Sequence, residues 1–377
     1  MSVREGWAYT EEQLLRISGS MGQLLNQLRP HVSSRLIDGR AWENLLERAG
    51  EVPATFAAFP FGFEIPLQDP ALRADFGVTL VGDSRTAAFV QKGTWPEKSR
   101  NTVSRLARFL DETDREDSLL RHVVGQKLLL EYDIDPGTRK TCPDPGVFLY
   151  PIDDVLAGGG QRIRELGAVH DAVLSAGGWQ PDMVERRHFE HVYGELEAAC
   201  CIKAVGTFPA RQRVVRVAAT GFRKAGQVTA FLRQVGWPGQ AEAVGDTVSF
   251  FARRNAFAYL GIHLDITADS VGPKLGLSFF AQEKEWLKDI RHWSVLIDGI
   301  GERGYALPEK LAELARWSTG SATLLAPSGP IMLVRGIHHI KFAITGDRVE
   351  QVKGYVFFLM MSARNRNRGE FQQTPAD

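Results

Sequence analysis

Residues 257–281 read FAYLGIHLDITADSVGPKLGLSFFA. Two runs of strict alternation stand in this stretch, Leu260/Ile262/Leu264/Ile266 and Leu275/Leu277/Phe279, joined by a polar turn with Gly and Pro. Successive residues of a strand point to opposite faces, so each run gathers its aliphatic side chains on one side. The other side carries Gly261, His263 and Asp265 on the first strand and Lys274, Gly276, Ser278 and Phe280 on the second. In an open antiparallel sheet that polar side faces water. If helices cover the aliphatic side and the sheet closes on itself, it lines an internal chamber instead.

The flanking sequence repeats the theme. Thr10–Gln13 spells a capping box that opens a helix through about Leu28, and a second short helix is predicted over 34–48. From Thr55 the period changes to two, through Phe61/Phe63/Ile65, Phe76/Val78/Leu80 and Ala87/Phe89. A helix is predicted over 101–117. Strands follow at 127–134 and 146–150, split by the breaker-rich DPGTRKTCPDPG. Helices at 153–176 and 184–199 lead to strands at 201–207 and 213–220. Helices at 225–235 and 245–254 precede the opening hairpin, and two more at 284–304 and 308–317 precede a last pair at 332–345 and 349–361.

A hairpin followed by one or two helices therefore recurs about five times. Ten antiparallel strands in one sheet tend to curl, split or close. The expected class is α+β: a ten-stranded antiparallel barrel inside a ring of helices. Residues 1–54 are expected to pack on it as N-terminal helices, 55–362 to form the barrel, and 363–377 to be a flexible tail.

This element order resembles the ABBA aromatic prenyltransferases, whose repeated α–β–β–α units build a PT-barrel. The resemblance covers about 55–361 and is one of order and length; the short phrases Pro273–Leu277 and Lys353–Gly354–Tyr355 look like strands of that family. It implies a transferase of secondary metabolism that moves a prenyl group from an allylic diphosphate to an aromatic acceptor: an indole, a phenol or a peptide side chain. It implies no tightly bound cofactor beyond the prenyl diphosphate co-substrate, and it leaves a role for Mg2+ open.

Such chemistry requires cations for the diphosphate, aromatic faces around the allylic cation and a base for the acceptor proton. Arg216, Lys274, Lys341, Lys353 and Tyr355 lie opposite aliphatic residues on their strands and are the candidate diphosphate ligands. Phe280 and Phe357 are the candidate shields. Asp265, Glu131 and His263 are the candidate catalytic groups. A strand lysine more often faces water, and an Asp on a strand is more often a paired structural residue. The cations form a clamp only if the barrel closes.

Two other readings compete. The same chamber in a non-catalytic accessory protein would hold a peptide or small ligand, with its cations paired to acids. Alternatively His188, His191 and Glu195, at helical offsets of three and seven, would hold a metal for a metal-dependent enzyme. His338 and His339, adjacent on a strand, are expected to point to opposite faces. Gly299–Gly304 fits GxGxxG but follows a helix rather than a strand, and Asp111/Asp114/Asp117 reads as a solvated helix face.

Composition is consistent with this. With 45 basic and 45 acidic residues there is no excess charge to attract nucleic acid or an anionic membrane. Three cysteines, two of them adjacent, build no disulfide framework. A cytoplasmic protein with neither nucleic-acid nor membrane partners is expected.

Overall fold

The computed structural model describes residues 3–92, 100–134, 144–152, 155–281, 291–317, 321–326 and 329–362. Among these, ten antiparallel strands close into one barrel. They are β1 (Phe61–Pro66), β2 (Asp75–Val81), β3 (Lys127–Tyr132), β4 (Gly146–Leu149), β5 (Cys201–Thr207), β6 (Val215–Phe222), β7 (Tyr259–Ile266), β8 (Val271–Phe280), β10 (Gly329–Thr345) and β11 (Arg348–Ser362). Neighbours in sequence are neighbours in space throughout. β8 pairs with β10, β10 with β11, and β11 returns to β1. The α+β barrel anticipated from the hairpin repeat is therefore the observed fold.

An eleventh strand, β9 (Ser321–Ala326), was not anticipated. Its SATLLA sequence is short and lacks a clean alternation, so it carries no period-two signal. It pairs with Gly329–Val334 of β10, while Ile340–Thr345 of the same strand pairs with β8. The seventeen-residue β10 thus changes neighbours midway, and a β-bulge between Ile337 and His339 marks the change.

The closing seam explains one glycine. A side chain at Gly62 would place its Cβ 1.9 Å from the Val356 carbonyl oxygen of β11, so only glycine lets the two strands approach. The outer face is apolar as the alternation requires: Leu260, Ile262, Leu264 and Ile266 are all at most 1% exposed. Helix α10 (Ala241–Ala252) presses Phe251 against Phe279 and Phe342, with ring centroids at 5.0 and 5.6 Å. Helix α12 (Pro308–Trp317) lays Trp317 against Phe358 at 5.2 Å. Burying a ring of that size is worth about 2–3 kcal/mol, and the jacket repeats it around the barrel.

Several local expectations are corrected. Thr10 does not begin a helix: α1 runs Val3–Ile17, Thr10 donates to the Gly6 carbonyl at 2.9 Å, and α2 (Met21–Leu28) starts at the Ser20 cap. Glu11 instead reaches across to the backbone N–H groups of Arg85 and Thr86 at the start of α4 (Arg85–Gln91). That α4 is a helix also corrects the Ala87/Phe89 alternation. Ser84 caps it by accepting from Ala87 N at 3.0 Å, and Ala87 and Val90 then face inward at helical spacing. Helix α3 covers Gly39–Ala49, α5 Arg100–Asp114, α6 Leu119–Val124, and α7 only Ile163–Gly177, because the glycines at 158–160 keep the chain irregular before it. The expected tail at 363–377 lies outside the described residues.

The β1–β2 connection is held from the jacket. Lys310 on α12 is fully buried and donates to the carbonyls of Pro66, Asp69 and Ala71, at 2.7, 2.5 and 2.8 Å. Three carbonyls replace the water shell of one ammonium, which is how so polar a group is tolerated there.

Candidate active site

Side chains opposite the aliphatic face converge in the bore, and the strand registers sort them into levels. At one end Arg216 and Asp265 are register partners on β6 and β7 and form a two-point pair, Nε to Oδ1 at 2.6 Å and Nη2 to Oδ2 at 2.9 Å. Burial lowers the guanidinium's proton affinity, but Asp265 outweighs it and keeps Arg216 charged.

The middle level is built on Glu64, which is 6% exposed. Lys353 donates to its Oε1 and the Tyr355 hydroxyl to its Oε2. Lys341 Nζ lies 3.8 Å from Oε2 and 4.5 Å above the Tyr355 ring. Burial by itself would raise the Glu64 carboxyl, yet the two lysines and the two hydrogen bonds hold it well below the usual carboxylate range. Burial pushes Lys341 down to about 8, against Glu64 and Glu131 and with help from Lys353 and Arg216. Glu131 is driven up to about 8 by burial and by the Glu64 carboxylate, which favours its protonated form at neutral pH. Asp75 is raised to about 6, first by burial and then by Glu64, while its Oδ1 accepts from Ile134 N at 2.8 Å.

A ladder of rings leads away from this cluster. His339 stacks on Tyr355 at 4.0 Å, Phe280 on His339 at 5.2 Å, and Tyr259 on Phe280 at 4.5 Å, one ring from each of β11, β10, β8 and β7. His263 lies parallel to His339 at 6.4 Å, with its Nε2 2.9 Å from Ser278 Oγ. Burial, Lys341 and Arg216 hold His263 neutral, well below its usual range. Phe357, inward from β11, spreads its ring over Gly336, where a Cβ would meet it at 2.3 Å.

The candidates read from sequence therefore separate. Arg216, Lys341, Lys353 and Tyr355 gather with Glu131, Asp265, His263 and Phe280 around the bore. Lys274 does not: it is exposed at the end of β8 opposite Thr345, four residues or roughly 13 Å along the strand from Ser278. Glu64 escaped the sequence reading, although Phe61/Phe63/Ile65 on the outer face already implied that Glu64 points inward.

Two expectations are corrected. His338 and His339 do not point apart, because the bulge in β10 puts both on the bore side with their Nδ1 atoms 2.7 Å apart. His188, His191 and Glu195 do not assemble a metal site. On α8 (Met183–Gly194) His191 turns its Nε2 to the Gln234 carbonyl at 3.2 Å and its Nδ1 to Glu195 at 3.7 Å, and no group of three potential ligands suited to a metal occurs among the described residues.

No described helix is long and apolar enough to cross a membrane. No protein-family model and no curated protein matches the sequence. Solved structures do. The chain is similar to a 5-dimethylallyl tryptophan synthase from Streptomyces coelicolor in complex with DMASPP and Trp, at 16% identity over 93% of this chain and 97% of that one, with a TM-score of 0.46. It is similar to the prenyltransferase PriB in its apo form at 14% identity over 94% and 96%, TM-score 0.48. It is also similar to AnaPT from Neosartorya fischeri at 12% identity over 96% and 95%, TM-score 0.43.

Proposed function

We propose that the chain is an enzyme that transfers a prenyl group from an allylic diphosphate to an aromatic acceptor inside the barrel. The observation that carries this reading is the convergence in a closed bore of three cations, two of them around a buried ionised carboxylate at the foot of a ring ladder. Arg216, Lys341 and Lys353 supply charge-assisted donors for the diphosphate, and Tyr355 adds a hydroxyl. When the two lysines turn to phosphate oxygens, the Glu64 carboxylate is left to accept from an acceptor N–H or O–H.

The chemistry follows in order. The allylic C–O bond breaks, its electron pair leaving on the diphosphate oxygen. The aromatic side chains of the bore, Tyr259 and Phe357 among them, surround the resulting cation and exclude water that would quench it. The acceptor ring forms the new C–C bond and then gives up its proton. Glu64 fits the acceptor-activating role better than the other acids, since Asp265 is engaged by Arg216 and Glu131 already holds its proton.

A second reading, a non-catalytic ligand-binding protein, is favoured by the pairing of Lys353 with Glu64 and of Arg216 with Asp265. Turnover separates the two. The purified chain is incubated with dimethylallyl and geranyl diphosphates and a panel of indoles, phenols and peptides, with and without Mg2+, and products are read by mass spectrometry. Gain of one prenyl unit on an acceptor is the expected result. Tight diphosphate binding with no product from any acceptor would favour the binding protein.

A further inference from the structure

The bulge at Ile337/His339 produces a feature that the reaction above does not use. It sets two imidazoles side by side in the bore, hydrogen-bonded Nδ1 to Nδ1 at 2.7 Å. One ring must donate and the other accept, so their tautomers are opposed. His338 is exposed and meets Phe280, a ring of the bore, edge-on at 5.7 Å. His339 is 8% exposed, lies between the faces of Tyr355 and Phe280, and has a buried Nε2 with no hydrogen-bond partner among the described residues.

We infer that His338 is the base that removes the ring proton in the last step of transfer, with His339 as its relay. This rests on the prenyl-transfer reading and assigns the proton's exit within it. In the cationic ring formed after C–C bond formation, the C–H bond breaks and its electron pair restores aromaticity. The proton goes to His338 Nε2 while the Nδ1 proton of His338 shifts toward His339 Nδ1. The positive charge is shared across the hydrogen-bonded pair, and no oxidant or further reactant is needed. The groups around the pair are His263 on β7, Ser278 and Phe280 on β8, Lys341 on β10, Tyr355 on β11, and Lys127 and Lys203 across the bore. His338 is exposed at its surface but ringed by protein, and that loss of bulk water, with Lys127 and Lys203, lowers it to about 4; burial with His338 and Lys341 lowers His339, so both rings are neutral at pH 7.

The test uses His338→Gln and His339→Phe, the second retaining a ring in the ladder while removing the relay nitrogen. Transfer to ring-protiated and ring-deuterated acceptor is measured beside calorimetric affinity for a thiolodiphosphate analogue of the allylic substrate. The expected result is a loss of about 100-fold in kcat in His338→Gln, with a large primary isotope effect absent from wild type, unchanged analogue affinity and partial rescue by added imidazole. His339→Phe is expected to lose less, in the same direction. A His338→Gln rate within threefold of wild type, or a slower rate with no isotope effect, overturns the assignment. Wild type that transfers to no acceptor defeats the prenyl-transfer reading itself, and the relay with it.

Discussion

Glu64 and Tyr355 are register partners on the two strands that close the barrel, and the Tyr355 hydroxyl donates to the Glu64 carboxylate. The seam that completes the fold is therefore also the centre of the charged cluster, since Lys353, two residues before Tyr355, reaches the same carboxylate. Barrel closure and the charged cluster share residues.

Glu64→Gln separates them. It leaves Lys353 and Lys341 buried without their anion, and breaking a buried pair in this way costs about 3–5 kcal/mol. Because Glu64 is held well below its usual range, its contribution is full above the ordinary carboxylate value and is lost only as pH falls from there toward the much lower folded value. The variant should thus lose most stability near neutral pH, with the deficit shrinking progressively below about pH 4, by chemical denaturation. If Glu64 activates the acceptor, turnover falls at least about 100-fold while diphosphate affinity is kept or improved, because the competing carboxylate is gone.

Glu131→Gln should do the opposite. Its carboxyl is raised on folding to about 8, so the unfolded chain releases the proton at lower pH than the folded chain does. Wild-type stability then falls as pH rises from the ordinary carboxylate value toward about 8, and this share of the loss disappears in the glutamine variant. A thermal melt should show Glu131→Gln higher by a few degrees at pH 8 and level with wild type at pH 4. An equal gap at both values would mean that the carboxyl titrates normally.

Lys274 and Lys353 were equivalent in sequence and are not equivalent in space. Lys353→Met should weaken binding of an allylic diphosphate analogue at least about tenfold, as loss of one charge-assisted contact implies. Lys274→Met, at the strand end, should change it less than threefold. Calorimetric titration of both variants checks the ranking, and similar losses would place the diphosphate at the mouth instead.

Lys310→Met keeps the length of the side chain but orphans three carbonyls of the β1–β2 connection. A loss of about 2–4 kcal/mol in denaturant unfolding is expected. Amide exchange should quicken over residues 66–72 first. Uniform quickening across the barrel would show that the connection is not a local unit.

What could be read from sequence followed from period. The alternations at Phe61–Ile65, Leu260–Ile266 and Leu275–Phe279 determined which face is apolar, and the hairpin repeat determined that the sheet is large enough to close. The misreadings arose where local pattern was outweighed by a tertiary contact. Thr10 looks like a cap, but its hydroxyl is satisfied within the helix while Glu11 caps α4 instead. His338 and His339 look opposed because alternation assumes an unbulged strand, and nothing in RGIHHIKF announces a bulge where β10 exchanges neighbours. Glu64 is legible from its alternation with Phe63 and Ile65, which places it on the face opposite theirs. The mutual pairing of cations and acids depends on strands far apart in sequence, and composition does not reveal it.

The most direct test is calorimetric titration of wild type and of the triple variant Glu64→Gln/Lys341→Gln/Lys353→Gln, which leaves no lysine buried opposite a missing carboxylate, with a non-reactive thiolodiphosphate analogue of dimethylallyl diphosphate. Binding in the micromolar range by wild type, weakened at least about fiftyfold in a variant whose unliganded melt is preserved, is the predicted outcome. Absence of binding by wild type, or equal affinity in both proteins, would contradict a diphosphate site at the Glu64 level of the bore.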